Sequence, residues 1–148
     1  MTWREKVIKE AQEWLRTPYH SGARIKYIGV DCGQFLIAIY ENIGIIRKGE
    51  CEPGNYSFEW HLHRSEEKYL GWIEKYCIKI NGNPLPGDIA VFKFGRCVSH
   101  AGIVLEWPRI IHAYVGHGVI ISNINESLLC HSNGRSRLHG IYRPKEVV

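Results

Sequence analysis

Apolar side chains recur at helical spacing through the first part of the chain and break into short runs in its second half. Trp3, Val7, Ala11 and Trp14, joined by Ile8 and Leu15, form one stripe, while Arg4, Glu5, Lys9 and Glu13 fall largely off it. That spacing predicts an amphipathic helix over residues 3–15, stopped by Thr17-Pro18. A loop from Tyr19 to Gly29 then leads to Asp31-Cys32-Gly33-Gln34 and the apolar run Phe35 to Tyr40. These residues predict a second helix that starts at Cys32 with Asp31 as its cap, runs to about Asn42 and is closed by Gly44. Residues 45–64 carry Pro53-Gly54 and follow neither period, which predicts an irregular insertion. After it, Ser65-Glu66-Glu67 offers a cap and two acids for a third helix, on which Tyr69, Trp72, Ile73, Tyr76, Cys77 and Ile80 share one face.

From Asn81 the pattern changes. A turn cluster, Asn81 to Asp88, is followed by short apolar runs that predict strands at about 89–94, 100–106, 110–115, 118–123 and 138–143. Their breaks fall at Gly95, Trp107-Pro108, Gly116 to Gly118, and the polar stretch from Ser132 to Ser136. Helices first and an antiparallel sheet afterwards predict an α+β fold, with N-terminal helices packed on a C-terminal sheet. No repeat or boundary divides the chain, so residues 1–148 are expected to form one domain with the 45–64 insertion.

Composition narrows the functional classes. The 148 residues are 45% hydrophobic, enough for a compact core, and the net charge of +4 is spread along the chain. A scattered excess of this size marks no nucleic-acid surface. Five cysteines with no C-x-x-C pair predict free thiols and no zinc ribbon. Met1 to Lys6 lack the apolar core of a signal peptide, and no run approaches a membrane span, so synthesis in the cytoplasm and no membrane insertion are expected.

The chemistry centres on Cys32. Unpaired N–H groups and the positive end of the macrodipole at a helix start favour thiolate over thiol, which predicts a lowered pKa there. His100 and His112 interrupt two predicted strands that the Trp107-Pro108 turn can bring side by side. Acyl transfer by cysteine needs a nucleophile, a base that takes and returns a proton, a group orienting that base, and an oxyanion donor. Cys32, His100, His112 and the backbone N–H of Cys32 supply one candidate for each. A lone cysteine is more often a packed small hydrophobe, and Cys51, Cys77, Cys97 and Cys130 are read that way. His61 and His63 stand at alternate positions, but nothing nearby completes a metal site, and no metal or cofactor is expected. His117, between glycines, reads as a turn residue.

With these motifs in order, the chain resembles the NlpC/P60 cysteine peptidases of the papain-like superfamily. Thr17-Pro18-Tyr19 resembles the family's Pro-Tyr entry, Val30-Asp31-Cys32-Gly33 its nucleophile motif, and Leu85-Pro86-Gly87-Asp88 its Pro-Gly-Asp turn. His100-Ala101-Gly102-Ile103 and Ile111-His112-Ala113 resemble its two histidine segments, twelve residues apart as is usual there. The resemblance implies a papain-like fold and hydrolysis of an amide bond in the stem peptide of bacterial peptidoglycan, typically after γ-D-glutamate. It also implies a substrate site lined by Tyr19, Asp31 and Gly33. Here the sequence departs from the family, with Gly33 in place of the usual serine and Gln34 in place of a glycine. Trp60 to Glu67 resembles the phage and prophage subgroup. That likeness implies phage tail-tip partners, incorporation in a virion tail, and action in the cell wall or periplasm. Two alternatives stand beside this reading: a non-catalytic tail module of the same fold, and a CHAP-type N-acetylmuramoyl-L-alanine amidase.

Overall fold

A computed structural model describes residues 1–52 and 68–148 of the chain. The Ser65-Glu66-Glu67 cap, His61, His63, and all of the expected insertion beyond Glu52 lie outside the described residues. Helix α1 runs from Trp3 to Glu13, two residues shorter than its stripe. Thr2 and Glu5 form a reciprocal capping box, in which the Glu5 N–H donates to the Thr2 hydroxyl at 3.2 Å and the Thr2 N–H to the Glu5 carboxylate at 3.4 Å. Val7, Ala11 and Trp14 are buried, as the stripe predicts. A short hairpin with strands of two residues each, β1 (Arg24–Ile25) and β2 (Gly29–Val30), occupies the expected loop. Helix α2 runs from Cys32 to Asn42, and Gly44 at φ +83° follows its end, where its N–H donates to the Glu41 carbonyl.

Helix α3 spans Lys68–Tyr76 and ends sooner than its apolar face suggests. Cys77–Ile80 form strand β3, so Cys77 and Ile80 are strand residues and not part of a helical face. The cause is a partner distant in sequence: β3 pairs antiparallel with β8 (Leu138–Pro144), from Cys77 opposite Pro144 to Ile80 opposite Ile141. Ile78 and Ile80 are β-branched and fit that pleated surface better than a helix.

The remaining strands are β4 (Ile89–Phe94), β5 (Cys97–Val104), β6 (Arg109–Tyr114) and β7 (Gly118–Asn123). With β3 and β8 they make a six-stranded antiparallel sheet in the order β3-β8-β4-β5-β6-β7. Its centre is covered on both faces. Ile89 and Val91 of β4 join the cluster beneath the helices, with Phe35 and Ile39 of α2, while Ala90 and Phe92 join a second cluster with Ile110 and Leu129. That double coverage makes the middle strands nearly continuous in apolar residues and easy to recognise.

Asp88 ties these layers together. Its buried carboxylate receives two bonds from Arg143 of β8 at 2.8 and 2.9 Å, one from Arg4 of α1 at 3.0 Å, and the Leu85 N–H at 2.9 Å. Burial alone would raise its pKa, but the Arg143 and Leu85 hydrogen bonds and the Arg4 guanidinium outweigh it and hold the carboxyl below its usual range. Gly87, at φ +93°, lets the turn run so close to α1 that a Cβ there would lie 3.2 Å from the Trp3 ring.

Candidate active site

Asp31 sets the position of Cys32. One carboxylate oxygen caps α2 by accepting the Gln34 N–H at 2.8 Å, and the other accepts the Gly22 N–H at 2.6 Å. The helix start and the loop after Tyr19 are therefore joined through a single side chain. Tyr19, Asp31, Cys32, Gly33 and His100 all line one cavity of about 660 Å³. His112 does not reach the cavity; it stands behind His100 and is fully buried.

The two histidines meet as their strands predict. His100 Nε2 lies 2.7 Å from His112 Nδ1, and His112 Nε2 lies 2.9 Å from Ser122 Oγ. Tyr114 and Phe94 turn ring edges on His100, with centroids 5.5 and 5.8 Å away, and fix its plane. Tyr114 is itself held by a bond from its hydroxyl to the Leu128 carbonyl at 3.1 Å.

A bulge in β5 turns the backbone toward the cysteine. Phe92 pairs with His100 and Lys93 with Val98, which leaves Ser99 as the extra residue. The Cys32 thiol donates to the Ser99 carbonyl at 3.5 Å, beside His100.

The charge state of Cys32 differs from the sequence expectation. Burial pushes its thiol up to about 12, and the Asp31 carboxylate acts in the same direction. The Tyr69 hydroxyl and the N–H groups of Gly33 and Cys32 favour thiolate, but they do not reverse the sign. A helix N-terminus contributes up to about 2 kcal/mol, whereas withdrawing a thiolate from water costs about 4–7 kcal/mol. Burial therefore wins, and the resting group is a neutral thiol. Burial also lowers His112 to about 4, with His117 acting in the same sense, so His112 is neutral at pH 7 and keeps one acceptor nitrogen. Tyr19 is raised, first by burial and then by Cys32 and Asp31, and keeps its proton.

Ser99, Ser122 and Tyr114 are not among the site residues expected from the sequence, and Tyr69 enters there solely as part of an apolar helix face. Ser122 left a faint signal, as a polar residue directly after the apolar run Val119 to Ile121, but its partner depends on strand register. His112 pairs with Ile120, so Ser122 is the diagonal neighbour on the same face. Cys51, Cys77 and Cys97 are buried free thiols, and Cys130 is half-buried. Chemically, the cavity presents a thiol at a capped helix start together with an imidazole backed by a second, neutral imidazole. That set can move a proton away from sulfur and return it.

Residues 16–133 match the NlpC/P60 family, and the chain belongs to it. Among curated proteins it is 27% identical over 126 residues to the "Probable endopeptidase NlpC homolog" of Haemophilus influenzae, covering 84% of this chain and 57% of that protein. It is 25% identical over 125 residues to the Escherichia coli protein named "Murein DD-endopeptidase MepS/Murein LD-carboxypeptidase", covering 83% and 56% respectively. The chain thus spans little more than half the length of either relative. Among solved structures, an NlpC/P60 family protein of Bacillus cereus superposes with a TM-score of 0.66 at 18% identity, over 95% of this chain and 40% of that one. The NlpC/p60 domain of the peptidoglycan hydrolase SagA gives 0.55 at 19% identity, over 82% and 89%. The α+β fold, helices on an antiparallel sheet, is the fold of these neighbours.

Proposed function

We propose that the protein is a cysteine endopeptidase that hydrolyses an amide bond in the stem peptide of bacterial peptidoglycan, with Cys32 as nucleophile. The observation that carries this reading is that Cys32, at the Asp31-capped start of α2, lines the same cavity as His100, whose Nε2 lies 2.7 Å from His112 Nδ1. The names of the curated relatives support the substrate class.

In this mechanism His100 takes the thiol proton as the Cys32 sulfur bonds to the carbonyl carbon. The carbonyl π electrons move onto oxygen, where the Cys32 N–H meets them. Collapse breaks the C–N bond, and His100 passes its proton to the leaving amine. Water then attacks the thioester with His100 as base, which frees the new carboxylate and restores the thiol. His112 holds the His100 ring throughout. Tyr19 and Gly33 form the substrate wall beside the sulfur, and Asp31 holds that wall to the helix.

The bond after γ-D-glutamate is the proposed point of cleavage. Digestion of purified peptidoglycan and of defined muropeptides by wild type and Cys32→Ala, read by mass spectrometry, tests it. A new amino terminus after γ-D-glutamate that requires Cys32 supports the proposal. Release of whole stem peptides would make the protein an amidase, and no product would leave a non-catalytic module. The proposed setting is a virion tail with tail-tip partners, supported by the resemblance of Trp60 to Glu67 to phage members. Its detection by mass spectrometry in purified tails supports that setting, and recovery solely from the bacterial envelope overturns it.

A further inference from the structure

We propose that Ser122 is a positioning residue of this site: its hydroxyl holds the proton of His112 on Nε2, so that His112 Nδ1 always offers an acceptor to His100. The proposal rests on the hydrolase reading for its kinetic consequence but not for its geometry.

The two contacts form one line, from His100 Nε2 to His112 Nδ1 at 2.7 Å and from His112 Nε2 to Ser122 Oγ at 2.9 Å. All three side chains are buried, His112 completely and Ser122 to 2% exposure, so bulk water does not compete for these atoms. When His100 takes the proton from sulfur, it becomes a donor at both ring nitrogens. The facing atom, His112 Nδ1, must then accept. A neutral imidazole has one acceptor nitrogen, so its proton must sit on Nε2, and that N–H must in turn find an acceptor.

Ser122 Oγ is that acceptor. A hydroxyl donates or accepts by rotating, and here it accepts the Nε2–H of His112, the one polarity of the line that also serves a charged His100. With alanine at 122 the buried Nε2–H loses its partner. The His112 proton then moves to Nδ1, where it opposes the His100 N–H. The wrong imidazole tautomer is the fault that makes a triad with correct geometry inactive.

The experiment uses the full chain with 15N-labelled histidine and reads ring tautomers by long-range nitrogen–proton NMR, alongside kcat and KM on muropeptides. Wild type should show His112 as the Nε2–H tautomer, and Ser122→Ala should shift it toward Nδ1–H. Ser122→Ala should lower kcat by roughly 10- to 100-fold, the range expected when a buried donor is left unpaired, with KM nearly unchanged. Ser122→Thr keeps the hydroxyl and should restore both the tautomer and most of kcat. Should Ser122→Ala fold poorly, Ser122→Cys keeps the volume with a weak acceptor and should show the same tautomer shift. An unchanged His112 tautomer in the alanine or cysteine variant overturns the proposal, as does a wild-type Nδ1–H tautomer. If wild type cuts no muropeptide, the hydrolase reading fails while the tautomer measurement still decides the role of Ser122.

Discussion

Gly102 lies directly across from His112 in the sheet, and a methyl group on it would sit 2.9 Å from the His112 Cβ. The register that pairs Ile103 with Ile111 sets this opposition. The same methyl would lie 2.8 Å from Ile110 Cδ1 and 3.1 Å from the Ile111 carbonyl oxygen, so His112 is held close because residue 102 has no side chain. Gly102→Ala should therefore displace His112, lower kcat, and cost about 1–3 kcal/mol of stability. Urea unfolding and muropeptide kinetics on the purified variant check both effects; wild-type values for both would contradict the close packing.

His100→Ala should be the more damaging of the two histidine changes. Loss of the proton carrier is expected to lower kcat on the order of 10⁴-fold, and His112→Ala, which removes an orienting group, by less. Equal residual rates in single-turnover assays would show that His112 does more than orient.

Cys32 should react slowly with iodoacetamide in the free protein. A buried thiol pushed up to about 12 carries little thiolate at pH 7, so its alkylation rate should keep rising through pH 9. Cys130, the one cysteine that is not buried, should be modified first. Peptide mapping after timed alkylation separates the five thiols, and preferential labelling of Cys32 at pH 6–7 would mean that the thiolate is stabilised after all.

His112 should make stability depend on pH in a defined window. Its folded value of about 4 lies below the ordinary 6.5, so the unfolded chain binds the proton first as pH falls. The associated stabilisation is complete above about pH 6.5 and is lost as pH drops toward 4, by roughly 3 kcal/mol in all. Denaturant titrations at steps through this range should show a steeper decline for wild type than for His112→Gln. Parallel curves would rule out a neutral buried imidazole.

Asp88→Ala should destabilise the fold without touching the cavity. Removing the carboxylate leaves Arg143, Arg4 and the Leu85 N–H without their shared acceptor, at a cost on the order of 3 kcal/mol. A lower midpoint in urea with unchanged kcat at low temperature is the expected result, and an unchanged midpoint would remove Asp88 from the architecture.

The amino-acid sequence by itself determined the first two helices, the first to within two residues of its end, the five strands after residue 88, the Asp31 cap, and the candidacy of Cys32, His100 and His112. Each is written locally, in a 3.6-residue or two-residue period, a capping side chain or a turn cluster, and a window of about a dozen residues is enough to read it. Tertiary structure decided what depends on distant partners. Cys77 and Ile80 share a helical face with Tyr69 and Ile73 in the sequence, yet pairing with β8 turns them into a strand. The Ser99 bulge and the meeting of His112 with Ser122 follow from registers that no local pattern records. The Cys32 thiol shows the same division most clearly: the helix start that favours thiolate is local, while the burial that outweighs it belongs to the assembled cavity.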